Sequence, residues 1–342
     1  MKHSLKLVSA AVSTALLFSI GASAQTDKKF VLKLAHGDSN DMTVSRKAVM
    51  SDVFAREVNA KSNGRINVQV FGASTLGKET DYVEGVKNGF VQAGLASGVV
   101  ANFYPTAMVT DIPYLFSSEV IADRVLDGPY GQKLSEDFLA NSGMRNLCFG
   151  EAGFRHLSSG KNPIHSPKDM AGLKVRIQET PIFVTVMRAL GAQPTPISLP
   201  ETYTALQTGV ADGQDTLIPT MIFIKTYEVQ KHVTLDGHNY SVDWFIVNEK
   251  FFQSLPADLQ MIVQGAAKNS CIEERRVNRK FGEEGLKTLK DVGVTVYTPT
   301  ADELAQFKAA TQPPVIEWLK TKIDPKWIDG LLAAIKDAEA KK

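Results

Sequence analysis

Residues 65–96, RINVQVFGASTLGKETDYVEGVKNGFVQAGLA, carry the pattern on which the fold turns. Residues 65–71 alternate apolar and polar side chains, the period of a half-buried strand. A helix is read over about 78–88 and a further strand over 90–96. Strand, helix and strand at this spacing argue a βαβ unit in a parallel or mixed sheet. Within the stretch, Gly72 to Glu79 approaches the phosphate-binding pattern G-x-x-x-x-G-K-[ST] but ends in Glu79. The missing hydroxyl is the magnesium ligand, and a carboxylate there repels phosphate. The run is therefore read as a Gly-rich turn that opens a helix.

The same alternation of elements continues on both sides. Residues 30–35 (FVLKLA) form a strand stopped by Gly37-Asp38-Ser39-Asn40, and a helix over about 44–61 places Val44, Ala48, Val49, Val53, Phe54 and Val58 on one face. A second set of units begins near residue 146 and includes 173–177 (LKVRI). The helix after it carries Phe183, Val184, Met187 and Leu190, and Pro200 opens a short helix. Strand-like stretches fall at 232–235 and 244–248. From Pro256 a helical run reaches about residue 291, long enough to lie across two domains. No Gly/Ser/Pro-rich linker parts the halves, which suggests a hinged clamshell whose domains are joined by more than one crossing.

Composition narrows the function classes. The chain has 342 residues, suiting two domains, and 38 Lys+Arg against 37 Asp+Glu give a formal charge of +1. That balance argues against a basic nucleic-acid binder, and no nucleic-acid partner is expected. Lys2 and Lys6, the apolar or small run 7–22 and Ala22-Ser23-Ala24 follow the order of a secretory signal peptide cut after Ala24. Residues 1–24 are thus expected to be removed, leaving a periplasmic chain of slightly negative charge. Cys148 and Cys271 lie far apart in apolar or helical surroundings; the sequence leaves open whether they pair, with buried free thiols the favoured reading.

No C-x-x-C, H-E-x-x-H, G-x-S-x-G or G-x-G-x-x-G occurs, and the histidines are scattered, so neither a catalytic residue, a metal site nor a cofactor is expected. Two arginines stand out instead. Arg176 ends the apolar strand Leu173–Ile177, and Arg155 in Gly153-Phe154-Arg155 follows another. Ligands of open α/β sheets bind at the carboxyl ends of strands, and a guanidinium there can fork onto a carboxylate.

The run 191–215, GAQPTPISLPETYTALQTGVADGQD, resembles the signature of the DctP-type periplasmic solute-binding proteins of TRAP (tripartite ATP-independent) transporters. GLKVR (172–176), YEVQKH (227–232) and LPADLQ (255–260) extend the likeness in order along the chain. The resemblance implies a two-lobed, periplasmic-binding-protein-like α/β clamshell with a long helix spanning both domains. Domain I would comprise 25–152 plus 242–281, and domain II 153–241 plus 282–342. It further implies capture of a small organic acid by closure of the cleft and delivery to the permease subunits in the membrane. The alternatives are a secreted enzyme acting on organic acids and a sensor-coupled binding protein.

Carried over position by position, Arg176 matches the arginine that pairs with the ligand carboxylate, and Arg155 the one that assists. Gln178 and Glu179 should point into the same cleft. Asp215 and Thr216 occupy the place after D-G-Q, Thr216 replacing an amide, and Leu199 falls where an aromatic sometimes packs. The His36–Asn40 loop, with Ser39, and Ser97 match domain I cleft loops. Phe154, Phe183, Phe223 and Trp244 are candidates for an apolar wall. Acidic Glu179, Asp215 and Asp243 disfavour a bare polycarboxylate and favour an acid bearing hydroxyl or amino groups.

Overall fold

The computed structural model describes residues 28–341; the leader expected over 1–24 and its expected cut after Ala24 lie outside the described residues. The first half comprises β1 (Phe30–His36), α1 (Arg46–Lys61), β2 (Ile66–Phe71), α2 (Glu79–Asn88), β3 (Ala93–Ala96), α3 (Glu119–Leu126) and α4 (Pro129–Ser142). A long strand β4 (Met144–Ser159) leads to β5 (Lys174–Ile177), α5 (Pro181–Ala189), β6 (Gln193–Pro196), α6 (Thr202–Gln207), β7 (Gly213–Leu217) and α7 (Ile218–Phe223). The chain returns through β8 (His232–Asn248) and α8 (Glu249–Ser254) to α9 (Ala257–Asp291), then closes with β9 (Thr295–Tyr297), α10 (Ala301–Lys320) and α11 (Lys326–Ala340).

One sheet runs through the molecule in the order β2-β1-β3-β8-β4-β7-β5-β6, with β9 added beside β8. The two ends are parallel: β1 pairs with β2 and β3, and β5 with β6 and β7. Between them β4 and β8 pair antiparallel along nearly their whole lengths, so these two strands pass from one half to the other. Their register slips three times, at Asn146/Phe149, Glu151/Gly153 and Arg155/Leu157. Such bulges bend and twist a strand pair.

The segments expected at 232–235 and 244–248 are the two ends of the single strand β8. Between them lies Asp236-Gly237-His238-Asn239, turn-like in composition. It is instead a bulge, with Gly237 at φ +56°, inside continuous pairing. The helix expected from Pro256 is α9, 35 residues long and so about 52 Å from end to end. Near its start Asp258 meets Arg65, and near its end Gly285 packs on Ile218 of α7, where an added Cβ would lie 2.9 Å from Ile218 Cγ2. The helix thus braces both halves.

The reading of the cysteines as free thiols is overturned: Cys148 of β4 and Cys271 of α9 form a disulfide. Both walls of the core that Leu147, Phe245 and Val263 fill carry one cysteine, so packing α9 across β4 brings the sulfurs together. A separation of 123 residues conceals that proximity in the sequence. No described helix is long and apolar enough to cross a membrane.

Candidate ligand-binding cleft

The carboxyl ends of the parallel strands from both halves converge on one cleft. The first half contributes Asp38 after β1, Arg46 and Lys47 from the first turn of α1, Glu79 at the start of α2, and Ser97 after β3. Arg155, Arg176 and Gln178, with Leu199, Thr216 and Thr220, face them from the second half. The Gly72–Gly77 turn sets the first wall. A Cβ on Gly72 would overlap Asn40 Oδ1 and lie 2.5 Å from the His36 ring, so only glycine lets the turn close against β1. The residues that resemble a phosphate loop therefore aim Glu79 into the cleft.

On the second wall Arg155 is 4% and Arg176 3% exposed, but their surroundings differ. Arg155 Nε donates to Asp215 Oδ1 at 2.6 Å, its Nη2 donates to the Asp215 carbonyl at 2.8 Å, and the guanidinium lies 4.8 Å from the Phe183 ring centre. Behind Asp215 stands His238, 3.1 Å from Asp215 Oδ1 and 2.8 Å from Asp236 Oδ2. Burial would raise the Asp215 pKa, but Arg155 and His238 outweigh it and hold the carboxyl well below the usual range. Burial likewise opposes the charge on His238, yet Asp236 and Asp215 push its pKa up to about 10. This chain of alternating charges pairs within itself, although Asp215 Oδ2 is left without a hydrogen-bond partner.

Arg176 stands outside it: its Nε donates to the Ile197 carbonyl at 3.0 Å, and among the described residues its guanidinium makes no ion pair. Burial, then the nearby charge of Arg155, lower its pKa to about 10. The group stays protonated at neutral pH and lacks a counter-ion, the condition in which a buried cation most favours binding an anion.

The first wall is densely paired. Arg46 Nε donates to Asp243 Oδ2 at 2.7 Å and Nη1 to Asp38 Oδ2 at 3.1 Å. Lys47 Nζ donates to Ser97 Oγ at 3.0 Å and lies 3.4 Å from Asp243 Oδ1 and 3.9 Å from Glu79 Oε1. Burial disfavours both cations, but Asp243 leads the acids that raise both pKa values. Three contacts bridge the cleft: Gln178 Nε2 donates to Glu79 Oε2 at 3.2 Å, Lys78 Nζ to Glu179 Oε1 at 3.0 Å, and Asn102 Nδ2 to the Glu179 carbonyl at 2.7 Å.

Of the residues expected from the sequence, Arg155, Arg176, Gln178, Glu179, Ser97, Leu199 and Thr216 line this cleft. Asp215 lies behind it as the counter-ion of Arg155. Others fall elsewhere. Trp244 is buried 5.2 Å from the Phe138 ring and 4.8 Å from that of Phe149. It follows Asp243 on β8, and successive strand side chains take opposite faces, so Asp243 meets the cleft cations and Trp244 the core. Phe223 ends α7 half-buried, outside the cleft lining, and Phe154 meets Tyr240 edge-to-face. His36 is buried against Gly72, and Ser39 caps its own loop by accepting from the Asp41 N–H; the loop residue in the cleft is Asp38. The apolar lining is Val99, Leu199 and Leu217, so the aromatic wall is corrected to an aliphatic one.

Sequence reasoning missed Arg46, Lys47 and Glu79 as cleft residues, and within the expected His36–Asn40 loop it singled out His36 and Ser39 where Asp38 is the one that faces the cleft. One signal was present: the first turn of α1 holds two cations and no acid, against the preference of a helix N-terminus for negative charge.

The fold and this cleft define a class, the two-lobed clamshell proteins that bind small solutes. The family model described as bacterial extracellular solute-binding protein, family 7 (DctP) matches residues 35–321, and the chain belongs to that family. A solute-binding protein of Verminephrobacter eiseniae is 36% identical over 294 residues, 85% of this chain and 84% of its own. The C4-dicarboxylate-binding periplasmic protein DctP of Rhodobacter capsulatus is 31% identical over 94% of this chain and 96% of its own. The sugar acid binding protein DctPAm of Advenella mimigardefordensis, solved with galactonate, superposes with a TM-score of 0.86 at 32% identity, covering 91% of this chain and 99% of that one.

Proposed function

We propose that this protein is the periplasmic receptor of a TRAP transporter, that it captures one small carboxylate on Arg176, and that it presents the acid to membrane permease subunits. The observation that carries the reading is the buried, unpaired guanidinium of Arg176 beside Arg155, which Asp215 already engages. The lobes are taken as 25–152 with 242–281 and 153–241 with 282–342, hinged where β4 and β8 slip register. Export by the leader 1–24, cut after Ala24, belongs to the same reading.

The mechanism is binding coupled to closure. An acid seated on Arg176 supplies the missing counter-ion, and closing the lobes excludes water and strengthens each charge-assisted bond. Closure contacts such as Gln178 to Glu79 form across the two walls. The ligand can shift the open–closed equilibrium only by its differential affinity for the closed form. Nothing in this sequence of events consumes the acid.

A thermal-shift screen of the mature chain against organic acids tests the reading. Small carboxylates should raise the melting temperature with concentration, as mass action requires, and calorimetry should give one site per chain. Failure of every carboxylate, or consumption of the acid instead of stoichiometric binding, overturns it.

A further inference from the structure

The charges around the cleft pair with one another everywhere except at Arg176. Arg46 is held between Asp38 and Asp243, Lys47 between Asp243 and Glu79, and Arg155 by Asp215. One carboxylate of a ligand therefore finds a free guanidinium. Since Arg155 and Arg46 are already bonded to Asp215 and to Asp38 with Asp243, a second would have to lie further along the cleft, toward Lys47 on the first wall. That ammonium already faces Glu79 at 3.9 Å, and Asp38 lines the same wall.

Glu79 cannot readily turn away. One of its oxygens accepts from the Ser97 N–H and the other from Gln178 Nε2 at 3.2 Å, two residues along the chain from Arg176. A fixed carboxylate thus occupies the position that a second ligand carboxylate would need. Like charges repel strongly at such spacing in a partly dry site. A hydroxyl fares differently: it can donate to Glu79, accept from Lys47, and costs far less to desolvate than an ion.

We propose that Glu79 is the built-in second carboxylate of this cleft, the specificity residue that, with Lys47, selects a hydroxylated monocarboxylate and rejects a dicarboxylate. The proposal rests on Arg176 as the carboxylate seat. It keeps the sequence-based preference for a hydroxylated acid but moves its cause, because Asp215, Asp243 and Glu179 are each engaged by Arg155, by Arg46 with Lys47, and by Lys78.

Calorimetry on the ligand-free mature protein would compare D-galactonate, D-gluconate, D-erythronate and glycerate with succinate and L-malate. The wild type should bind its best hydroxy-monocarboxylate at least about 100-fold more tightly than either dicarboxylate. The isosteric Glu79→Gln variant should reduce that ratio by at least about tenfold, with tighter dicarboxylate binding as part of the change. A melting curve of each ligand-free variant checks folding, and Glu79→Ala provides the second variant. Equal affinity of the wild type for both series, or a ratio unchanged in both variants, overturns the role of Glu79. A wild type that binds neither series, while Arg176 variants behave like it in every acid, overturns the carboxylate seat itself.

Discussion

The two walls of the cleft bury arginine in opposite ways. On the α1 side Arg46 is wrapped by Asp38 and Asp243, with Glu274 at 3.6 Å, and at the end of β5 Arg176 is buried to the same degree with a single carbonyl for company. A paired buried charge is part of the fold, because removing one partner strands the other. An unpaired one is tolerated only where a ligand completes it, so the difference separates the residues that build the cleft from the residue that uses it.

The sharpest way to break the comparison is Arg46→Met. It should leave Asp38 and Asp243 uncompensated and cost about 3–5 kcal/mol in a denaturant titration. A loss below about 1 kcal/mol would mean that the first wall is not held by charge.

The acid–histidine chain behind Arg155 yields the next effect. The His238 pKa is about 10 in the fold, raised by Asp236 and Asp215 against the cost of burial, and about 6.5 when unfolded. Its contribution to stability is therefore complete below pH 6.5 and is lost as pH rises through 10. Melting temperature should fall more steeply from pH 7 to 10 in the wild type than in His238→Gln, whereas parallel curves would remove the protonated histidine from the account. The smallest effect belongs to the Lys78–Glu179 contact, which is partly exposed. Lys78→Ala should weaken ligand binding by less than about fivefold, read by calorimetry, in line with surface ion pairs. A larger loss would make this contact a principal closing force.

Much of the fold was legible because its signals are local. Alternation marked β1 and β2, the 3.6-residue period marked α1, and sustained helical pattern after Pro256 marked α9. Arg176 was legible because it closes a short parallel strand at the mouth of an α/β sheet, whereas Arg155, expected just after a strand, lies inside β4 and serves as the partner of Asp215. What escaped depends on contacts between distant segments. The Cys148–Cys271 bond follows from packing α9 on β4, and the bulge in β8 from pairing that overrides a turn-like composition. Trp244 is expected on an apolar wall of the cleft, but its neighbour Asp243 is the residue that meets the cleft cations, and only the strand's facing separates the two. Lys47 and Glu79 lie on different helices, so neither points to the other until the Gly72–Gly77 turn places the start of α2 within reach of Lys47.

The most direct measurement is a paired one on Arg176→Met: melting of the ligand-free protein and calorimetry with the acid that binds the wild type. Removing an unpaired buried cation should leave the melting temperature unchanged or higher, while affinity falls by at least about 100-fold. Retained affinity, or a melting temperature that falls as far as that of Arg46→Met, would contradict the assignment of Arg176 as the carboxylate seat.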